Sequence, residues 1–273
     1  MTIMQRIFRN SLILAVAVVV FYVIDWLYGT SLRDPKFLDG WILFAGILFL
    51  ALYNVRKKLA MLPLGRAAIW LQFHLYVGYF VVAVFLVHTK FSLPGGMLEW
   101  AMWSMFIIVS LSGIAGAYLS RMIPARLEMH SERVIFERIP AFRAGLAEEV
   151  EALAIDSVNQ AGSLTISNLY VNTLHEFFRR PRNFLLHLRN SRRALTRIQG
   201  EIDNLRQYLD AAGKENLSKI KDLVQAKDNL DYHYAHQGVL KAWLFFHIPA
   251  TYGLIVLMVA HVAIVYAYSS GVP

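Results

Sequence analysis

The sequence of 273 residues contains no cysteine and is poor in charge, with only 17% Asp, Glu, Lys and Arg. The absence of cysteine excludes disulfides, cysteine-ligated iron–sulfur clusters and covalent haem attachment through a C-x-x-C-H motif. Soluble domains usually carry about a quarter charged residues, so the low charge argues against an ordinary soluble protein. The chain also lacks a P-loop and a G-x-G-x-x-G motif, and we therefore expect no nucleotide site.

What the chain has instead is apolar sequence: 57% of its residues are hydrophobic, and the mean hydropathy is +0.44. Several stretches reach the roughly 20 apolar residues that are needed to cross a bilayer as a helix. We predict an all-α integral membrane bundle with five transmembrane helices. The predicted spans are 11–29, 39–55, 66–90, 97–120 and 241–268.

These spans divide the chain into transmembrane helices 1–4 at 1–121, an insert at 122–240, and the fifth helix with a short tail at 241–273. The first apolar run follows Arg6 and Arg9, as in a signal peptide. The run is long, however, and "DWLYGTS" is a poor cleavage site, so we expect a retained anchor.

An excess of basic residues flanks the spans on one side, whereas on the other side the loop at 30–38 is charge-balanced when the flanking Asp39 is included, and 91–96 and the C-terminal tail carry no charge; this asymmetry predicts the orientation. The insert is nearly neutral, with 16 basic and 15 acidic residues, whereas the remainder has 11 basic and 4 acidic residues. We expect a multi-pass protein of a bacterial-type inner (cytoplasmic) membrane, with the N-terminus and the insert in the cytoplasm and the C-terminus outside. The basic residues that carry this prediction are Arg6, Arg9, Arg56, Lys57, Lys58, Arg66, Arg121 and Arg126.

The insert has the periodicity of helices rather than strands. In "RIQGEIDNLRQYLD" and "ENLSKIKDLVQAKDNL", apolar residues recur on one helical face. We predict an antiparallel helical hairpin whose turn is "AAGKEN", at 211–216.

Two of the spans each carry a pair of histidines with identical spacing: His74 and His88 in the third, His247 and His261 in the fifth. Fourteen residues turn an α-helix through about 1400°, close to four full turns, and advance it by about 21 Å. Both imidazoles of each helix therefore point to one side, one in each half of a bilayer core about 30 Å thick.

The third and fifth helices run parallel, because one span separates them. His74 and His247 then share one depth, and His88 and His261 share the other. A planar macrocycle between two helices takes one axial imidazole from each side. Two noncovalent b haems, ligated by His74–His247 and His88–His261, satisfy the whole pattern. The alternative is four interhelical hydrogen-bonding histidines or a proton relay.

Other residues could serve such haems. Gly78, four residues after His74, would let a ring approach the backbone, as would Gly113 and Gly116 in the fourth helix. Arg66, Arg121 and Lys241 cluster at the cytoplasmic ends and could meet propionates, although basic residues there also act as topology signals. The basic residue of these helices expected near the outer haem is Lys90.

With H-x13-H on its third and fifth helices, the chain resembles the diheme cytochrome b architecture, and most closely the ferric reductase-like transmembrane domain. The resemblance covers 66–121 and 241–268, with the second helix as scaffold. It implies that two haems relay electrons across the membrane. This chain departs from that family in lacking a sixth helix and the flavin and NAD(P)H domains, and in having the long insert. The resemblance therefore implies a conduit that works with partner redox subunits or a quinone.

Three further features have alternative interpretations. The arginine-rich run at 179–197 could dock an acidic redox partner, bind anionic lipid, or be a solvated helix face; nucleic acid is not expected, because aromatic residues do not interleave with the arginines. "DYHYAH", at 231–236, could bind a metal, but two firm ligands are few, and we expect it on the surface. Asp25 could accept protons from a quinol, yet its aromatic neighbours favour the interfacial belt, so a quinone site is unsupported.

We therefore predict a transmembrane electron-transfer subunit of an oxidoreductase complex. The alternatives are a self-contained ferric or quinone reductase and a non-redox membrane scaffold whose insert recruits a partner.

Overall fold

The computed structural model describes residues 3–31, 34–58, 67–130, 134–161 and 164–269. It is 91% helical, and no strand occurs in the described ranges. The predicted all-α fold class is therefore confirmed.

Ten α-helices make up the described part of the chain. Short 3-10 turns at Phe136–Arg138 and Arg206–Tyr208 and a π-helical turn at Tyr170–Leu174 connect some of them. The helices are α1 (Ile3–Thr30), α2 (Pro35–Lys58), α3 (Ala67–His88), α4 (Met97–His130), α5 (Ile139–Ala161), α6 (Leu164–Leu169), α7 (His175–Arg179), α8 (Phe184–Leu188), α9 (Arg193–Leu205) and α10 (Ala211–Ser269).

Five helices, α1, α2, α3, α4 and α10, are long and apolar enough to cross a bilayer. In the most apolar 18-residue window of each, no more than 17% of the residues are buried by protein. Helices that are apolar on all sides and are not covered by protein are typical of membrane spans. The chain is a multi-pass membrane protein, as predicted.

The helix ends differ from the predicted span ends where a helix continues beyond its apolar part. The fourth helix does not end near 120 but continues through Pro124 to His130. Helix α10 has 59 residues and begins far upstream of the predicted span at 241–268. At 1.5 Å per residue it is about 88 Å long, so only its apolar C-terminal part can lie in a core of about 30 Å.

The helical hairpin of the insert is formed by α9 and the first part of α10. Asp203 bonds to Lys221 at 2.7 Å and Gln199 to Gln225 at 3.3 Å, and this reciprocal register makes the pair antiparallel. The predicted turn at 211–216 is wrong, because those residues form the first turns of α10. Asp210 starts the helix instead: its Oδ1 accepts from Gly213 N at 2.8 Å, as an N-cap residue does.

The chain forms two compact units. Unit 1 comprises residues 1–118 and 243–273, and unit 2 comprises 119–242, so the unit boundaries lie within three residues of the predicted domain boundaries. Unit 1 packs around buried side chains from α1, α2, α3, α4 and α10. These are Phe21, Leu43, Ile47, Val81, Val84, Phe85, Phe106, Leu254 and Met258.

Unit 2 has an apolar core of its own, built mainly from α5, α6, α7, α9 and the first part of α10. Val150, Ile166, Leu174, Ile220 and Val224 are completely buried in it. This unit also buries charged side chains, among them Lys227 and Asp231.

Candidate functional site

The four predicted ligand histidines all lie in unit 1. His74 and His88 are on α3, and His247 and His261 are on α10. None of them is fully exposed, and each belongs to a helix apolar enough to span a membrane. The structure therefore places these side chains where polar groups need a partner or a function.

A cavity of about 500 Å³ lies at the end of α3, and both His88 and His261 line it. Its walls come from α2, α3, α4, α10 and the connection after α3. The volume is in the range of sites for small molecules and cofactors, roughly 300–1,000 Å³. The structure thus brings together the two histidines that helical spacing predicts at the outer depth.

The walls of this cavity are mainly aromatic and aliphatic. Phe85 and Phe106 stack with ring centroids 3.9 Å apart, and Trp41 Nε1 donates to the Tyr266 hydroxyl at 2.9 Å. All four residues line the cavity. An apolar enclosure with few polar groups is typical of sites for flat, largely apolar cofactors.

Two lysines stand among the lining residues: Lys90, which the sequence pattern indicated, and Lys36 at the start of α2, which it did not. Both side chains are exposed. Lys90 and Phe91 have φ of 50° and 55°, so two consecutive non-glycine residues adopt the left-handed region where α3 ends. Such backbone strain is concentrated at functional sites, and here it belongs to a cavity residue.

Gly40 of α2 is a further residue that sequence reasoning missed. A Cβ at this position would lie 3.4 Å from His88 Cε1, so the imidazole packs against the α2 backbone. The signal in the sequence is a glycine inside an apolar helix, where it costs about 1 kcal/mol relative to alanine unless close approach requires it.

His247 has a partner that orients its ring. The Ser112 Oγ donates to the Val109 carbonyl at 2.9 Å and lies 2.6 Å from His247 Nδ1. When the single hydroxyl proton is donated to the Val109 carbonyl, the bond to Ser112 is donated by His247 Nδ1–H. The ring nitrogen Nε2 is then the unprotonated one, and this is the tautomer of a metal-ligating histidine whose other nitrogen is held by an acceptor.

The Trp243 indole packs beside the same ring. It stacks on His247 with ring centroids 5.3 Å apart and donates from Nε1 to the Ser112 carbonyl at 2.8 Å. A Cβ on Gly116 would lie 1.8 Å from Trp243 Cζ2, whereas one on Gly113 would lie 3.7 Å from His247 Cε1. The expectation that Gly116 leaves room for a macrocycle is therefore wrong, because the indole occupies that space.

His74 lies beside Tyr53 of α2, with ring centroids 5.2 Å apart. A Cβ on Gly78 would meet no atom within 4 Å, so the backbone there borders open space, as a ring approaching it would need. His74 and His247 thus contact side chains of different helices, and the cavity described above includes only the outer pair.

The structure does not bring together the three basic residues that were predicted to meet propionates. Arg66 lies outside the described residues. Arg121 is exposed on α4. Lys241 pairs with Glu137 at 2.5 Å and lies 4.1 Å from the centre of the Phe136 ring, and these contacts give no support to a propionate role.

Asp25 of α1 and Asp39 of α2 form a hydrogen bond between their side chains. Asp39 is only 3% exposed. Asp25 was expected in the interfacial belt, and its partner Asp39 was not identified from the sequence.

The "DYHYAH" segment is not at the surface. His233 and His236 are each 1% exposed, in the part of α10 that belongs to unit 2. His236 Nδ1 bonds to the Tyr232 carbonyl at 3.0 Å, and His233 Nδ1 lies 3.3 Å from Gln237 Nε2. The described residues contain no group of three or more His, Asp or Glu side chains placed to hold a metal ion.

The donor set at the cavity beside the end of α3 fits a planar metal cofactor: His88 and His261 line one mainly apolar cavity, and the lysines Lys36 and Lys90 stand at it together with the carboxylates Asp34 and Glu99. In the other predicted pair, His247 Nδ1 lies beside the Ser112 hydroxyl and Gly78 borders open space. Comparisons with protein-family models, with curated proteins and with solved structures find no match for this chain.

Proposed function

We propose that this chain is a membrane electron-transfer subunit, a cytochrome b that binds two b haems. His88 and His261 would hold one haem, and His74 and His247 the other. The observation that carries the proposal is the cavity lined by both His88 and His261, two histidines from different spanning helices. When bound, each haem supplies an iron that exchanges one electron at a time.

At the outer site, the residues have distinct roles. His88 and His261 would both hold the iron, and the bound group would then supply electron transfer rather than binding of oxygen. Lys36 and Lys90 would bind the carboxylates of the cofactor through charge-assisted hydrogen bonds. The aromatic walls exclude water, and burial together with contacts to the ligands sets the reduction potential.

At the inner site, the support is the orientation of one ligand and the space beside the other. With its own proton donated to the Val109 carbonyl, Ser112 would accept the Nδ1 proton of His247 and leave Nε2 for a metal. Open space at Gly78 lies one helical turn from His74. The fourteen-residue spacing separates the inner and outer ligands by about 21 Å along each helix, so that one site lies in each half of the bilayer.

We further propose that the protein resides in a bacterial-type inner membrane with its N-terminus and unit 2 in the cytoplasm, because the basic flanks of the spans favour that orientation. The sequence has no nucleotide-binding motif, so electrons would enter and leave through other redox subunits of a complex.

A spectrum of the purified full-length chain, reduced minus oxidised, with haem quantified per polypeptide, tests this proposal. We expect two low-spin b haems. His88→Ala should lose one haem or convert it to high spin while the other is retained, and His74→Ala should affect the other. The retained haem shows that each variant has folded. His175→Ala, an exposed histidine of unit 2, is the matched control and should keep both.

A colourless protein, or haem content unchanged in both His88→Ala and His74→Ala, would contradict the proposal. The four histidines would then be hydrogen-bonding or proton-relay groups of a membrane scaffold. Reduction of a ferric chelate or a quinone by the isolated haem-loaded chain with a simple donor would indicate a self-contained reductase rather than a subunit.

A further inference from the structure

The segment Arg179 to Arg197 of unit 2, called here the arginine segment, presents its positive charge entirely at the surface. It contains seven arginines and no acidic residue, and all seven side chains are exposed. They are Arg179, Arg180, Arg182, Arg189, Arg192, Arg193 and Arg197.

Acidic residues outside the segment neutralise only some of these charges. Arg179 and Arg182 pair with Glu176 at 3.3 and 3.0 Å, and Arg197 pairs with Glu201 at 3.2 Å. The other four form no ion pair within the described part of the chain, although the charge of Arg192 also acts on the buried Asp228; they are Arg180, Arg189, Arg192 and Arg193. This concentration of uncompensated charge predicts an anionic partner.

Between the two groups of arginines lies the short helix α8, which carries an apolar tip. Leu185 is 68% exposed and Phe184 is 41% exposed, whereas His187 on the opposite side of the helix is buried in unit 2. Asn183 and Asn190, at the two ends, adopt the left-handed conformation that lets the chain turn sharply into and out of this tip. Apolar side chains between cations are typical of segments that enter the headgroup region of a membrane.

The position of α8 along the fold also favours a membrane surface. Phe184 Cε2 lies 3.9 Å from the Cβ position of Gly238 on α10. Gly238 stands three residues before the predicted span at 241–268, and three residues cover at most about 11 Å even when fully extended. The tip therefore lies within about 15 Å of the residue at which the predicted span begins.

We propose that the arginine segment is a membrane-docking surface of unit 2, which binds the headgroups of anionic lipids with its uncompensated arginines and inserts Leu185 and Phe184 among them. Lipid is favoured over an acidic protein because exposed Leu185 gains nothing from acidic groups, and because the bilayer is within reach. The inference does not depend on haem binding.

The natural absence of cysteine makes a direct test practicable. The full-length Leu185→Cys variant is spin-labelled and placed in nanodiscs of zwitterionic lipid alone or with anionic lipid added. The depth of the label is measured from its accessibility to oxygen and to a water-soluble relaxation agent. Tyr208→Cys is the control, since Tyr208 is 71% exposed and precedes α10, whose first residue lies 27 residues, or about 40 Å along the helix, from Gly238.

We expect the label at 185 to enter the headgroup region in anionic nanodiscs and to remain in water in zwitterionic ones, with the label at 208 in water in both. A second variant replaces Arg189, Arg192 and Arg193 with glutamine. Each basic side chain near an anionic surface contributes about fivefold to binding, so this variant should return the label at 185 to water. Its charge-matched control replaces Arg206, Lys214 and Lys219 with glutamine and should leave the label inserted.

Two results would overturn the proposal. If the label at 185 is exposed to water in both lipid mixtures, the arginine segment does not dock on lipid, and an acidic protein becomes the favoured partner. A label that is inserted equally in both mixtures, or one unaffected by loss of the three arginines, would show that charge recognition of lipid plays no part.

Discussion

Replacing Gly116 with alanine adds one methyl group at the tightest helix contact in unit 1. The added Cβ would lie 1.8, 2.2 and 2.5 Å from three atoms of the Trp243 indole. Carbon atoms in contact normally stand about 3.5–4.0 Å apart, so the indole would have to retreat by about 2 Å. That movement breaks the 2.8 Å bond from Trp243 Nε1 to the Ser112 carbonyl and disturbs the stacking on His247.

Two effects of Gly116→Ala lower the free energy of unfolding of the protein, and a third partly offsets them. Overpacking typically costs about 1–3 kcal/mol, and leaving a half-buried indole N–H without an acceptor costs about 1–3 kcal/mol. Alanine regains up to about 1 kcal/mol of helix propensity. We therefore expect Gly116→Ala to destabilise the protein by about 2–4 kcal/mol.

Thermal unfolding of the full-length protein in detergent, followed by loss of the monodisperse species, measures this effect. Gly113→Ala is the matched control, because it lies one turn away on α4 and its Cβ would be 3.7 Å from His247 Cε1, an ordinary contact. Gly113→Ala should change the unfolding temperature little, whereas Gly116→Ala should lower it clearly.

A double-mutant cycle identifies the indole as the cause. Trp243→Phe removes the outer ring atoms that collide with the added methyl group, so Gly116→Ala should cost much less on that background. Equal effects of Gly116→Ala in the two backgrounds, or equal stability of the two glycine variants, would refute the reasoning.

Three further predictions concern other positions. Gly78→Ala should stabilise haem-depleted protein by up to about 1 kcal/mol, since its Cβ meets no atom within 4 Å, and the unfolding temperature measures this effect. If a haem ring approaches that backbone, the same variant should bind less of the inner haem, which is measured as haem per chain. Lys227→Ala should destabilise unit 2 by about 3–5 kcal/mol, measured by hydrogen exchange, because it leaves the 1% exposed Asp231 without its cation; Lys227→Met with Asp231→Leu should cost clearly less. Burial, with repulsion from Asp231, raises the pKa of Asp228 in unit 2 to about 6, against the opposing charges of Lys227 and Arg192. Between the ordinary aspartate pKa of about 4 and this raised value, the folded state holds a proton that the unfolded chain has released. The free energy of unfolding should therefore fall by on the order of 3 kcal/mol as the pH rises from about 4 to about 6, and Asp228→Asn should remove this pH dependence.

The sequence was sufficient for the spans and for the outer histidine pair, for physical reasons. Apolar length decides whether a helix can cross a bilayer, and a fourteen-residue spacing returns a side chain to the same side of a helix whatever surrounds it. Both properties are local. His88 and His261 accordingly line one cavity, as their spacing and depth suggested.

Contacts between helices could not be read from the same periodicity. Equal depth does not decide which neighbour a ring meets, and His247 contacts Ser112 while His74 lies beside Tyr53. Gly40 is 48 residues from His88 along the chain, so only the packing of α2 against α3 reveals that they touch.

The errors in unit 2 have a similar origin. "AAGKEN" contains a glycine and polar residues, which favour a turn, yet Asp210 just before it is a strong N-cap, and the cap determines where α10 begins. His233 and His236 were expected at the surface because polar residues usually are. They are buried because other parts of unit 2 pack over α10, a tertiary effect with no local signal.

The polar groups inside unit 1 differ in how far the protein itself satisfies them, and this difference indicates where a ligand belongs. His247 Nδ1 has Ser112, and Asp25 and Asp39 bond to each other. His88 Nδ1 is buried and has no hydrogen-bond partner among the described residues. A buried polar atom without a partner costs about 1–3 kcal/mol, and it lies in a side chain that borders an apolar cavity with a second histidine. A ligand that contacts this ring and fills the cavity offsets part of the cost, so binding there should raise the stability of the folded protein.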